Sequence, residues 1–143
     1  MSAYDLDVTA TAKPEEIAAI GDGLAGFNAA DVGPSGREAL CVLIREDGRV
    51  TGGLYGYTAW GWLYIQWLFV PETLRGQGLA GKLLTAAETE AIRRGCQAAW
   101  IDTFNAKALQ AYKRQGYAVF GALEGFPADL ERTRWFLQKR LTG

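Results

Sequence analysis

The sequence holds no histidine among its 143 residues. That absence excludes Ser–His and Cys–His nucleophilic systems and histidine-bearing zinc sites. Cysteine is scarce too: Cys41 and Cys96 are the only two, far apart and both in apolar segments, which reads as a pair of buried free thiols. Two cysteines build neither a disulfide framework nor a structural zinc site, so no metal is expected and a cytoplasmic location is. No run of about 18 apolar residues occurs, and MSAYDLDVTA at the start has no basic segment followed by an apolar one. Neither a membrane span nor a secretory signal is therefore expected. Excess charge is missing as well: 15 Lys and Arg against 16 Asp and Glu leave a net charge of −1. With no basic field, nucleic acid and anionic membrane are not expected partners. Any chemistry must come from carboxylates, Tyr, Lys, Arg, backbone dipoles or a bound cosubstrate.

What is present suits one globular domain spanning residues 1–143, with 49% hydrophobic and 22% charged residues. Tyr4–Ala10 alternates apolar and polar residues and predicts a strand. Pro14, Glu15 and Glu16 open a helix reaching about Ala30. Gly21, Gly23 and Gly26 lie inside it at a cost of roughly 1 kcal/mol each relative to Ala, so two pieces or a bend are expected. Strands follow at Ala39–Arg45, Arg49–Thr58 and Leu63–Val70, the first two joined at Asp47-Gly48. A helix over Gly78–Arg94, a strand over Ala98–Phe104, an Asn105-capped helix over Ala106–Gln115 and strands at Tyr117–Ala122 and Thr133–Leu141 complete the order.

The stretch RGQGLAGKLL (75–84) satisfies three phosphate-loop patterns. Gly76, Gly81 and Lys82 fit most of a P-loop, but Leu83 stands where a magnesium-binding hydroxyl is needed. Gly76, Gly78 and Gly81 fit a dinucleotide fingerprint, with Asp102 at a suitable distance for a ribose. There, however, the strand should run straight into the first glycine, whereas Pro71–Arg75 intervenes. Arg75, Gly78 and Ala80 fit R-x-x-G-x-G/A, the phosphate loop of acyl-CoA-dependent acyltransferases.

With LFVPETLRGQGLAGKLL (68–84) followed by NAKALQAYKRQGY (105–117), the chain resembles the GNAT superfamily of N-acetyltransferases. The resemblance implies an α/β (α+β) fold with a mixed, mostly antiparallel sheet of six to seven strands flanked by helices. It implies transfer of an acetyl group from acetyl-CoA to a primary amine of a small molecule or peptide, by direct attack in a ternary complex. A non-catalytic acyl-CoA sensor on the same fold is the alternative. In the family the strand before the loop splays from its neighbour, and the pantetheine arm bonds to backbone there, here at Leu68, Phe69 and Val70. The pyrophosphate rests on amides of Arg75, Gly76, Gln77, Gly78, Leu79, Ala80 and Gly81, with Arg75 available to pair with a phosphate. Asn105 contacts the pantetheine and caps its helix. Tyr112, about two turns later, matches the general acid that protonates the departing CoA thiolate.

The base is less defined. Family members that modify histones carry a carboxylate early on the strand before the loop, where this chain has Tyr64, with Gln66 next on the same face. Both could hold a water that relays the amine's proton. Glu72, Glu46 and Asp102 are unplaced carboxylates. The acceptor site is expected to draw on Asp31–Arg37 and Glu124–Glu131. Trp60 and Trp62 could line it, or pack a homodimer or the core.

Overall fold

The fold is that of a computed structural model in which residues 3–142 are described. The chain divides into two units, Met1–Ser35 and Gly36–Gly143. In the first, α1 (Pro14–Val32) is one uninterrupted helix, where its glycines suggested two pieces or a bend. Pro14 occupies the first turn, and the Glu16 carboxylate accepts the Lys13 backbone N–H at 2.8 Å. Glycine lowers helix propensity but removes no backbone donor, so the ladder survives. Tyr4–Ala10 forms no strand. Alternation specifies two faces, but a strand also needs a partner for its N–H and C=O groups.

The second unit is a six-stranded sheet in the order β1-β2-β3-β4-β6-β5. The strands are β1 (Glu38–Glu46), β2 (Arg49–Ala59), β3 (Trp62–Phe69), β4 (Ala98–Thr103), β5 (Ala118–Glu124) and β6 (Thr133–Arg140). Helix α2 (Leu79–Arg93) crosses from β3 to β4, whose pairing is parallel, while all other neighbours are antiparallel. Helix α3 (Ala106–Arg114) connects β4 to β5. The β1–β2 hairpin turns on Asp47 and Gly48 (φ 50° and 78°), and β2–β3 on Trp60 and Gly61 (φ 48° and 76°). Positive φ at both central residues matches the right-handed twist of the flanking strands.

One face of the sheet carries the core. Leu40, Leu54, Leu63, Ile65, Ala99, Ile101 and Leu137 pack with Leu83, Leu84, Ala87 and Ala91 of α2 and Leu109 and Tyr112 of α3. Each such large apolar side chain contributes about 1.5–3 kcal/mol by leaving water. The opposite face is aromatic: Tyr57 meets Tyr64 edge-on at 5.4 Å, and Tyr64 stacks on Trp100 at 4.0 Å. The two thiols part company. Cys96 is buried as expected, whereas Cys41 is exposed, because Leu40 takes the inward side of β1 and the pleat turns its neighbour outward.

Two irregularities position the site. A β-bulge interrupts the β2–β3 ladder: Tyr55 pairs with Trp67 and Gly56 with Ile65, leaving Gln66 as the extra residue. A bulge bends its strand and adds twist. Just there the parallel β3–β4 ladder stops, its last pair being Ile65 with Ile101. Both strands continue beyond it, β3 to Phe69 and β4 to Thr103, without pairing to each other. The sheet therefore opens along a seam whose exposed backbone groups are free to bind something else.

Candidate active site

A cleft of about 580 Å³ occupies that seam. Leu68, Phe69 and Val70 form one wall, and Thr103 with Asn105, Ala108, Ala111 and Tyr112 forms the other. Leu74, Arg75, Gly76, Gly78, Leu79, Ala80 and Gly81 close its end, with Lys107, Arg114 and Gln115 at the margin. The structure thus brings together Leu68, Phe69, Val70, Arg75, Gly76, Gly78, Leu79, Ala80, Gly81, Asn105 and Tyr112 from distant parts of the chain. Gln77 is exposed and lies outside this lining.

The loop owes its shape to glycine. Gly76 and Gly78 adopt φ of 79° and 73°, left-handed values that side chains with a Cβ resist. Gly78 is the N-cap of α2, whose first-turn N–H groups have no intrahelical acceptor and form its positive end. No acidic residue stands in that first turn to compete for an anion. At Gly81 a Cβ would meet only the movable side-chain amide of Gln115. Arg75 does something the sequence did not announce. Its Nε donates to the Val70 carbonyl at 2.9 Å, tying the loop back to the end of β3.

On the other wall, Asn105 is an N-cap as expected. Its Oδ1 accepts the Ala108 N–H at 3.0 Å, and its own N–H donates to Thr103 Oγ1 at 3.0 Å. Tyr112 is only 5% exposed yet lines the cleft. Burial, and secondarily the Asp102 charge, push its hydroxyl pKa up to about 12.

Tyr64 and Gln66 stand on either side of Ile65, next to the bulge of β3. Tyr64 lies half-buried between Tyr57 and Trp100 on the aromatic face, its pKa raised by burial first and by Asp102 second. Gln66 is the exposed bulge residue, so counting by two from Tyr64 no longer predicts its face. Trp60 and Trp62 lie at the hairpin that begins β3, outside this cleft. Trp62 lines a separate hollow with Trp100, Phe120, Phe136 and Gln138, and the Arg140 guanidinium lies 5.4 Å from its ring centre. Of the unplaced carboxylates, Glu46 stands opposite Arg49 in the backbone ladder beside the β1–β2 turn and Glu72 sits in the 3-10 turn before the loop. Asp102 is held by Arg134, whose Nε and Nη2 reach Asp102 Oδ1 at 3.0 and 2.6 Å. Residues that sequence reasoning missed include Thr103, Lys107, Ala108, Ala111 and Gln115. The helical spacing of 108, 111, 112 and 115 was the available signal.

A splayed parallel seam, a glycine loop at the following helix and a tyrosine two turns past a capping asparagine are the arrangement of an acetyltransferase fold. The chain belongs to the acetyltransferase (GNAT) family, whose sequence profile matches residues 10–117. It is 50% identical to the acetyltransferase Atu2258 of Agrobacterium fabrum over 123 residues, 85% of this chain and 88% of that protein. It is 34% identical over 86 residues to the blasticidin-S acetyltransferase of Streptomyces morookaense, covering 59% of this chain and 63% of that one. Among solved structures, an assigned acetyltransferase from Agrobacterium tumefaciens superposes with a TM-score of 0.90 at 46% identity, over 96% of this chain and 99% of that one. Among the described residues, no helix is long and apolar enough to cross a membrane.

Proposed function

We propose that this protein moves an acetyl group from acetyl-CoA to a primary amine of a small molecule or peptide in the cytoplasm, by direct attack within a ternary complex. The observation that carries the reading is the unpaired seam between β3 and β4, flanked by the α2 N-terminus on one side and by Tyr112 on the other. Backbone at Leu68–Val70 and Asn105 suit an amide-bearing pantetheine arm. The amides of Arg75–Gly81 suit a pyrophosphate, with Lys107 and Arg114 adding positive charge at the margin. Likeness to a blasticidin-S acetyltransferase favours a small-molecule acceptor.

In the reaction the amine lone pair attacks the thioester carbonyl carbon, the C–S bond breaks and its electrons remain on sulfur. A thiol has a pKa of ~8.5, against about 12 for Tyr112. Full proton transfer from Tyr112 to the thiolate is then uphill by roughly 5 kcal/mol. The hydroxyl's main contribution is a hydrogen bond donated to the sulfur as charge gathers there, and a pKa this high keeps that donor protonated at every working pH. Water near Tyr64 or Gln66 takes the amine's proton.

Incubation with acetyl-CoA and an amine panel, followed by free CoA thiol and the mass of the product, tests the reading. Thiol release matched by acetylated amine is expected. Tight CoA binding with no transfer to any amine would instead make the protein a sensor.

A further inference from the structure

We infer that this chain pairs with a second copy of itself by reciprocal exchange of an arm, residues 3–35. The apolar stripe of α1 in one protomer lies on the aromatic sheet face of the other. No part of the inference depends on the acetyltransferase reading.

Two surfaces of the chain call for a covering. The first is on α1. Ile17, Ile20, Leu24 and Phe27 recur at intervals of three and four residues, so they line one side of the helix. They are 58–75% exposed, and α1 buries none of its residues. A helix weakened by three glycines depends on packing such a stripe. The second surface is the sheet face opposite α2 and α3. Trp62, Tyr64, Trp100, Phe136 and Phe120 cross four adjacent strands there, β3, β4, β6 and β5. Leu63, Ile101 and Leu137, on the core side of the same strands, are at most 2% exposed, yet none of the five rings is buried. Their hollow has a volume of about 480 Å³. An apolar face of this extent marks an interaction site.

The two surfaces match in charge and size. Residues 1–35 hold one Lys against six Asp and Glu, a net −5, and residues 36–143 hold 14 Lys and Arg against ten Asp and Glu, a net +4. Glu16 and Asp31 are four residues from Ile20 and Phe27 and so share the side of the stripe. On the aromatic face, Arg37 stands over the Tyr57 ring at 3.7 Å and Arg140 over Trp62 at 5.4 Å. Acidic residues on the arm thus meet rings edged with arginine. The 19 residues of α1 extend about 28 Å, and the 8 of β3 about 26 Å. Two contacts of about 28 by 10 Å bury on the order of 1,100 Å² in all, above the roughly 1,000 Å² of a specific interface. Tyr4, Leu6 and Val8 are exposed and form no strand, and β1 is an edge strand, so the arm's first residues can extend the partner's sheet. Gly33, Pro34, Ser35 and Gly36 link arm to sheet, a short hinge suited to exchange between copies. Complementary patches on one chain meet twice about a twofold axis and close the assembly.

Sedimentation equilibrium of the whole chain tests the inference. Twice the 15.6 kDa chain mass is expected. Leu24→Glu on the arm and Phe120→Glu on the face should each raise the dimer Kd about tenfold or more. An equimolar mixture of the two variants should recover dimer. The hybrid keeps one intact contact, the unaltered arm of one protomer on the unaltered face of the other, and neither variant alone has any. Circular dichroism checks folding, and Phe120→Ser replaces a Phe120→Glu that does not fold. A wild-type chain still monomeric at about 100 μM overturns the inference, because its arm then serves its own chain or none. A dimer unchanged in both variants overturns it too. Dissociation in only one variant, or no recovery on mixing, means arm-on-arm or face-on-face pairing and also overturns it.

Discussion

Tyr112 carries the sharpest residue-scale expectation. Tyr112→Phe removes only the hydroxyl from a ring that packs in the core. The lost donor acts as charge builds on sulfur, so kcat should fall ~10²-fold, the usual lower range for such catalysis, with little change in the acetyl-CoA KM. Because burial holds that hydroxyl near a pKa of about 12, the wild-type rate profile should show no alkaline limb from Tyr112 below pH ~11. Steady-state kinetics across pH 6–10 check both points. Tyr117 is a second buried tyrosine, and its role is structural. It donates to Glu88 Oε2 at 2.7 Å while Lys139 donates to Oε1 at 2.7 Å. Tyr117→Phe leaves a buried carboxylate short of a donor, and urea unfolding should register a loss of about 1–3 kcal/mol.

Among the elements, the α2 start and the β2–β3 ladder matter most. Space is open around Gly78, so strain at its left-handed φ and the chemistry of the new side chain decide what a substitution does. Asp is a good N-cap, so Gly78→Asp should leave a folded helix while setting a carboxylate against the pyrophosphate. CoA affinity measured by calorimetry should drop tenfold or more. Gly78→Asn tolerates the same φ without the charge and should stay within a few-fold of wild type. Gly56 faces the opposite constraint: a Cβ there would collide with the Tyr64 carbonyl oxygen across the bulge. Gly56→Ala should therefore lower the melting temperature and, by shifting β3, weaken CoA binding with it.

For the molecule as a whole, ligand and pH each have a thermodynamic signature. A ligand at 100 times its Kd stabilises the native state by about 2.7 kcal/mol, which in a chain of this size is a shift of roughly 5–10 °C. CoA should produce it, and NADH and ATP should not, in a thermal scan at matched concentrations. The alkaline limit follows from Tyr112 and Tyr117, both raised above the ordinary value, mainly by burial. Below pH ~10 both are protonated, folded or not, and their contribution is constant. Above it the unfolded chain ionises first, so stability declines as pH rises, by up to ~1.4 kcal/mol per pH unit for each tyrosine. The urea midpoint should fall between pH 10 and 11, less steeply in the Tyr112→Phe/Tyr117→Phe double variant.

Local chemistry alone determined the family, the loop and most of the elements. Glycines at 76 and 78 need left-handed backbone, Asn105 can cap only the helix that begins at the next residue, and a helical period of apolar residues marks α2 whatever surrounds it. Such features depend on near neighbours and are legible one stretch at a time. Tertiary pairing decided the rest. Whether Tyr4–Ala10 is a strand depends on a partner for its backbone, and Gln66 is a bulge only because β2 supplies one residue where β3 has two. The open seam exists because two strands far apart in sequence stop pairing after Ile65 and Ile101. Asp102, one of three unplaced carboxylates by sequence, gains its ion-pair partner because β6 brings Arg134 to it across 32 residues of chain. Charge and pairing act through space, and no single stretch records which distant residue will arrive.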